Sequence, residues 1–195
     1  RDAHRRAVAR ALLASSGLVA GSRRRLEEAL ALGAPDPAWP IYIYAALEGW
    51  LAVREGFDRE DRREAEHDYA ALVRRSFRGG LSLDFTGDSI RALLRDPQAA
   101  LGALQVFGGG LGYGLRARVG LHRAPPAAGE RAFDVARFLA NHGHAGLAVA
   151  DAETAAGFAA IARVDPYLPL TRGGWTEAIE TAALVFGPTS AAGGL

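Results

Sequence analysis

The chain has 195 residues, 49% hydrophobic and 23% charged, with a formal net charge of +1, the profile of a globular protein large enough to bury a real core. Near-neutrality argues against a dedicated nucleic-acid binder, and because all 23 basic residues are arginine, Schiff-base and lysine proton-transfer chemistry are excluded. Cysteine is absent, which removes disulfides, thiol nucleophiles and thiolate metal sites.

Methionine is missing even at position 1, so the chain is expected to be a fragment or a processed product. Residues 2 to 16 and 22 to 33 pattern as two short helices, the second capped by Ser22 and ended by Gly33. Their arginines are most simply a solvated face. ALLASSGLVAG, 11 to 21, falls short of the roughly 18 to 20 apolar residues of a membrane span, and the sequence after it does not suit a signal peptide. The expected location is cytoplasmic, with no membrane span. GAPDPAWP, 33 to 40, is a linker by composition, which divides the chain into an N-terminal helical segment, 1 to 35, and a main domain, 36 to 190.

IYIYAAL, 41 to 47, is a β-branched and aromatic run that predicts a buried strand. Residues 58 to 77 predict a long helix with Ala65, Tyr69, Leu72 and Ser76 on one face. LSLDFTGDSIRALL, 81 to 94, predicts a hairpin whose tip is Gly87-Asp88. Asp88 has two readings there, a turn residue bonding its own backbone or a metal-binding carboxylate. DPQAALGALQVF predicts a helix capped by Asp96 with Pro97 in its first turn. GGGLGYG, 108 to 114, follows a helix and precedes a strand, the reverse of the dinucleotide-binding order, and is expected to be a flexible connector. LRARVGLH, 115 to 122, predicts a strand ending at Gly120. Residues 130 to 143 predict a helix with Val135, Phe138 and Leu139 inward and Gly143 closing it. AGLAVA, 145 to 150, is a short buried strand, Asp151 caps the next helix, and two strands separated by Gly173-Gly174 finish the fold. Hairpins mixed with helical crossovers predict an α+β domain with a ferredoxin-like (βαββαβ) core and extra C-terminal strands.

Four of these segments, in order, resemble the class III nucleotidyl cyclase homology domain across roughly residues 40 to 187. YIYAALEGW resembles the opening strand of that family, FTGDSIRALLRDPQAAL its hairpin and following helix, LRARVGLH with LAVADAET its later strand pair, and LPLTRGG a segment near its end. The resemblance implies cyclisation of a nucleoside triphosphate by two metal ions held between two carboxylates. Asp88 matches the hairpin carboxylate, but the first-strand position falls on Ala46, and Glu48 lies two residues on, about 6 to 7 Å along the strand. Asp84 stands where the base-recognising lysine is expected. The second base-recognising position falls at Pro126 or Ala127. The ribose and transition-state positions fall on Asp134 and Phe138, with Arg137 one residue off, and a slip that restores the arginine puts Phe133 at the ribose position. Arg172 keeps the charge of the triphosphate-binding lysine.

The resemblance therefore implies a catalytically degenerate cyclase fold used in regulation or dimeric assembly, as a homodimer or with a cyclase-like partner. The alternatives are a nucleotide or phosphate-ligand sensor using the remnant pocket, with Arg172 and Asp88 as its remnants, and an atypical active cyclase using Asp88 with Glu48 or with a carboxylate from a partner chain. Magnesium or manganese is expected only with a bound nucleotide. His142 and His144 lie two apart at a helix end, too few ligands for zinc, and His122 is expected to be a structural histidine beside the pocket.

Overall fold

The computed structural model describes residues 39–171 and 179–186. The expected N-terminal helices, the division after residue 35, Arg172 and the Gly173-Gly174 pair lie outside the described residues. The described chain runs β1 (Ile41–Glu48), α1 (Trp50–Gly56), α2 (Arg59–Ser76), β2 (Ser82–Thr86), β3 (Ser89–Leu94), α3 (Pro97–Gly110), β4 (Arg116–Arg123), α4 (Glu130–His142), β5 (Leu147–Asp151), α5 (Ala152–Phe158), β6 (Val164–Pro166) and β7 (Thr181–Val185). These strands form one sheet in the order β2-β3-β1-β4-β5-β7-β6. Its first four strands, with the helices between them, are the expected ferredoxin-like core, and β5 to β7 extend it past β4.

β1 sits in the middle, antiparallel to β3 and to β4. Alternate residues of a strand face opposite sides, so Ile41, Ile43, Ala45 and Leu47 enter the main core beneath α2, α3 and α5. Each buried isoleucine or leucine stabilises the fold by about 1.5–3 kcal/mol. Tyr42 faces the other side, where Ala132 and Ala136 of α4 pack on it. The inward stripe of α4 is Ala132, Ala136, Leu139 and Ala140. Val135 and Phe138, expected inward, are only half-buried.

Alanine on that stripe lets α4 approach β4 so closely that a Cβ on Gly120 would meet the Ala136 carbonyl oxygen at 1.8 Å and the Ala140 nitrogen at 2.6 Å. Gly120 therefore does not end the strand, as expected from sequence. β4 continues through it to Arg123, and the glycine is there for contact between layers.

Three further expectations are corrected. Gly108, Gly109 and Gly110 are the last turn of α3 rather than part of a loose connector. α1 was not anticipated; Gly49, at φ 89°, turns the chain from β1 straight into it. The first C-terminal strand lies earlier than expected, at Val164–Pro166, and the pairing continues through the Tyr167 N–H to Thr181 and the mutual bonds of Leu170 with Ile179. Asp96 and Asp151 cap as expected, each accepting a backbone N–H from the first turn of its helix, and Asp58 does the same for α2.

Gly120→Ala is expected to destabilise the fold by at least about 3 kcal/mol, because backbone on both sides of the new methyl has to move. Gly102→Ala, in α3 with open space around its Cβ, should instead stabilise by about 0.5–1 kcal/mol. Urea denaturation of the two variants checks the contrast.

Candidate functional site

The C-terminal end of β1 and the tip of the β2–β3 hairpin meet at one end of the sheet. Ala46 stands opposite Ser89 of β3 and Arg118 of β4, and Glu48 stands opposite Arg116. The hairpin is a two-residue turn in which Gly87, at φ 55°, is the first central residue, the position where a glycine-first hairpin turn needs positive φ. The Leu47 N–H donates to the Asp88 carbonyl at 2.8 Å, which pins the hairpin tip beside the end of β1. The two positions expected to carry metal carboxylates thus lie close along the chain's backbone pairing. Only one of them, Asp88, has an oxygen to offer from its side chain.

Glu48 does not replace the missing group. Its Oε1 lies 3.1 Å from Arg118 Nε and its Oε2 lies 3.8 Å from an Arg116 guanidinium nitrogen. The Arg118 Nε contact is an ion pair without hydrogen-bond alignment, since that buried nitrogen has no hydrogen-bond partner among the described residues. Arg118 also donates from Nη1 to the Asn141 carbonyl, 3.3 Å away, at the end of α4. Two guanidinium groups therefore bracket the only carboxylate at the end of β1. A divalent cation there would have the Asp88 carboxylate on one side and, on the other, a Glu48 already paired with two guanidinium groups whose like charge opposes it. The residues present do not fit a two-metal centre. Among the described residues no group of three histidines or carboxylates has metal-binding geometry.

The other expected ligand residues are dispersed. Asp84 lies exposed on the edge strand β2, opposite Arg91. Arg91 is held by both Glu130 oxygens at 2.7 and 2.6 Å and stacks 4.3 Å over Phe133. Asp134 and Arg137 pair with each other at 2.9 Å along α4. Phe138, at the position expected for the transition-state arginine, packs its ring 4.3 Å from His142. His142 itself has Nδ1 2.8 Å from the Phe138 carbonyl, and His144 leans towards Tyr167 with ring centroids 6.1 Å apart. The paired histidines are therefore helix-end groups.

His122 proves more tightly bound than the sequence indicates. Its Nδ1 is 2.7 Å from Asp151 Oδ2. Asp151 also accepts the Thr154 N–H at 3.0 Å and the Thr154 hydroxyl at 2.9 Å, while the Arg123 N–H donates to that hydroxyl oxygen at 2.7 Å. Burial alone would depress the His122 pKa, but the Asp151 charge and hydrogen bond, with Glu153 behind them, outweigh it and hold the imidazole above its ordinary value. For Asp151, burial opposes ionisation, yet His122 and the two Thr154 donors hold its carboxyl below the usual range. The pair ties β4 to the start of α5. The sequence shows Asp151 as a cap, but its second role depends on the parallel β4–β5 register, which places Leu121 beside Ala150.

The three-dimensional fold carries the relationship to known proteins, since the sequence matches no family model and no curated protein. The adenylyl cyclase CyaB from P. aeruginosa superposes with a TM-score of 0.63 at 14% identity, covering 75% of this chain and 93% of that one. A Trypanosoma brucei adenylate cyclase described in its monomeric state gives 0.64 at 15% identity, covering 80% and 94%. A dimeric guanylyl cyclase domain from the aquatic fungus Blastocladiella emersonii gives 0.55 at 12%, covering 77% and 97%. The chain has the fold of a class III adenylyl/guanylyl cyclase domain. Among the described residues no helix is long and apolar enough to cross a membrane.

The His122–Asp151 pair predicts a pH dependence of stability. The raised imidazole contributes fully below its unfolded pKa of 6.5, and that contribution is lost as pH rises through the folded value. The lowered carboxyl contributes above its unfolded pKa of 3.8, and that contribution is lost as pH falls through the folded value. Asp151→Asn keeps a capping oxygen and removes the charge. It is expected to cost about 2 kcal/mol between pH ~4 and ~6.5, with the cost shrinking towards pH ~9, measured by urea unfolding across pH.

Proposed function

We propose that this chain is a catalytically degenerate nucleotidyl cyclase-like domain, a cytoplasmic module of regulation or dimeric assembly rather than an enzyme. The observation that carries the reading is the end of β1. Ala46 supplies no metal ligand, and Glu48, the nearest carboxylate, is committed to Arg118 and Arg116. Losing a single preorganised electrostatic group costs about 10²–10³ in rate, and here the carboxylate pair, the ribose position and the transition-state arginine all depart from the family pattern. A homodimer would not repair this, because each composite site would draw on the same residues. The proposed partner is a like domain, either a second copy of this chain or an active cyclase-like domain.

A second reading, a sensor of nucleotides or other phosphorylated ligands without turnover, has one supporting observation. The Arg116 side chain is 71% exposed beside the expected substrate position, and guanidinium recognises phosphate without a metal.

The test is a cyclase assay with manganese and either ATP or GTP, on the chain alone and mixed with an active class III cyclase domain. The expected result is no cyclic nucleotide from the chain alone and a changed rate for the partner on mixing. Turnover by the chain alone that disappears in Asp88→Asn would overturn the proposal. ATP without metal should leave the thermal midpoint unmoved; a saturable rise, lost in Arg116→Gln, would favour the sensor.

A further inference from the structure

A cavity of about 300 Å³ lies between α2 and the end of α3, with Asp68, Leu72, Gly110, Tyr113 and Leu115 among its walls. The connection from α3 to β4, residues 111 to 114, forms one side of it. That connection holds a tight turn. The Leu115 N–H donates to the Gly112 carbonyl at 2.9 Å, and both central residues have positive φ, Tyr113 at 56° and Gly114 at 70°. Asparagine and glycine suit such a turn, because both central positions are left-handed. Tyrosine is a poor fit. A bulky residue at positive φ is strained, and Tyr113 is the one residue other than glycine that adopts it among those described. An outlier of this kind points to a task for its side chain.

The contacts of Tyr113 show what that task is. Its hydroxyl donates to Asp68 Oδ2 at 2.7 Å, and its ring meets Phe57 edge-on with centroids 5.8 Å apart. The Asp68 bond, then slight burial, then the charges of Asp68, Glu64 and Asp61 raise the phenol pKa above its ordinary value, so the donor stays protonated. Tyr113 is nevertheless 44% exposed, which leaves the bond to Asp68 open to competition from solvent.

The ends of the connection are anchored and its middle is not. A Cβ on Gly110 would run into Leu72 Cδ1, so the last residue of α3 is pressed against α2, and Leu115 is buried. A Cβ on Gly112 or on Gly114 would meet nothing within 4 Å. Packing therefore fixes residues 110 and 115 and leaves the glycines on either side of Tyr113 unconfined. The far end also touches β1. The Gly114 carbonyl oxygen and Leu115 Cδ2 lie 3.5 and 3.6 Å from the Cβ position of Gly49, the residue after Glu48. Arg116, next after Leu115, pairs with Glu48 itself.

We propose that residues 111–114 are a latched strap, closed over the cavity by the Tyr113–Asp68 bond, whose release opens the cavity and loosens the Glu48–Arg116 end of β1. The device links the space between α2 and α3 to the expected substrate position, and it does not depend on whether the domain has cyclase activity.

Because the chain has no cysteine, the thiol introduced by Leu72→Cys, at a buried position in the cavity wall, reports opening through its rate of labelling by a small methanethiosulfonate. Adding Tyr113→Phe keeps the ring and removes the hydroxyl. It should raise that rate by about 3- to 10-fold, the factor that one hydrogen bond supplies. Hydrogen exchange on the cysteine-free chain is a second measurement that leaves Leu72 in place. There Tyr113→Phe should speed exchange by the same factor at residues 111–116 and 47–50, with β5 to β7 unchanged. Asp68→Asn keeps an acceptor oxygen and should give a smaller rise. Unchanged labelling and exchange would overturn the latch, and a rise confined to 111–116 would overturn the link to β1. A rise throughout the chain would make the bond an ordinary stabilising contact and overturn both.

Discussion

The strict alternation of the central strand constrains both faces of this molecule. Ile41, Ile43, Ala45 and Leu47 are committed to the main core, so Tyr42, Tyr44, Ala46 and Glu48 must form the opposite surface. That surface carries α4. A one-residue slip of β1 would exchange the two sets and bury Glu48, so the core fixes which residues stand at the would-be catalytic position. The hairpin is locked to the same strand by the bond from Leu47 to the Asp88 carbonyl. The two positions that the resemblance expects to carry carboxylates lie side by side, and one of them, Ala46, holds a methyl group.

Electrostatics has settled differently around that vacancy of function. Arg116 and Arg118 lean on Glu48, Arg91 on Glu130, and Arg137 on Asp134. Each acidic group near the expected substrate surface, Asp84 and Asp88 apart, has an arginine partner. Exposed pairs of this kind contribute little to stability, commonly 0–1 kcal/mol each. Their larger effect is on chemistry, because a paired carboxylate is less available to a cation. Tyr69 sits in the field of Asp88 with no hydrogen-bond partner among the described residues, and the aromatic rings beside it, Trp50 and Phe85, come from α1 and β2.

The architecture was legible because periodicity survives at low identity. A β-branched and aromatic run marked β1, period-two alternation marked the hairpin, and the helical stripe of Ala65, Tyr69, Leu72 and Ser76 is buried as expected. Contacts between distant elements were not legible. Gly120 looks like a strand end until α4 is seen crossing it, and the glycines at 108–110 look like a connector although they complete α3. α1 escaped notice because seven residues carry too little periodicity to announce a helix. At the site, the loss at Ala46 could be read directly from the resemblance. The capture of Glu48 required the β1–β4 register, which aligns Ala46 with Arg118 and Glu48 with Arg116. The alternating arginines of LRARVGLH carried that signal, since residues two apart share a face.

Manganese binding measures the central claim more directly than turnover, because it asks whether the end of β1 and Asp88 hold a cation at all. Electron paramagnetic resonance of Mn²⁺ titrated into the chain, with and without a non-hydrolysable nucleoside triphosphate analogue, reports free and bound metal separately. The account predicts no protein-bound Mn²⁺ beyond what the nucleotide alone takes up, and no difference between wild type and Asp88→Asn. Stoichiometric Mn²⁺ on the wild-type chain that is lost in Asp88→Asn or in Glu48→Gln would contradict it.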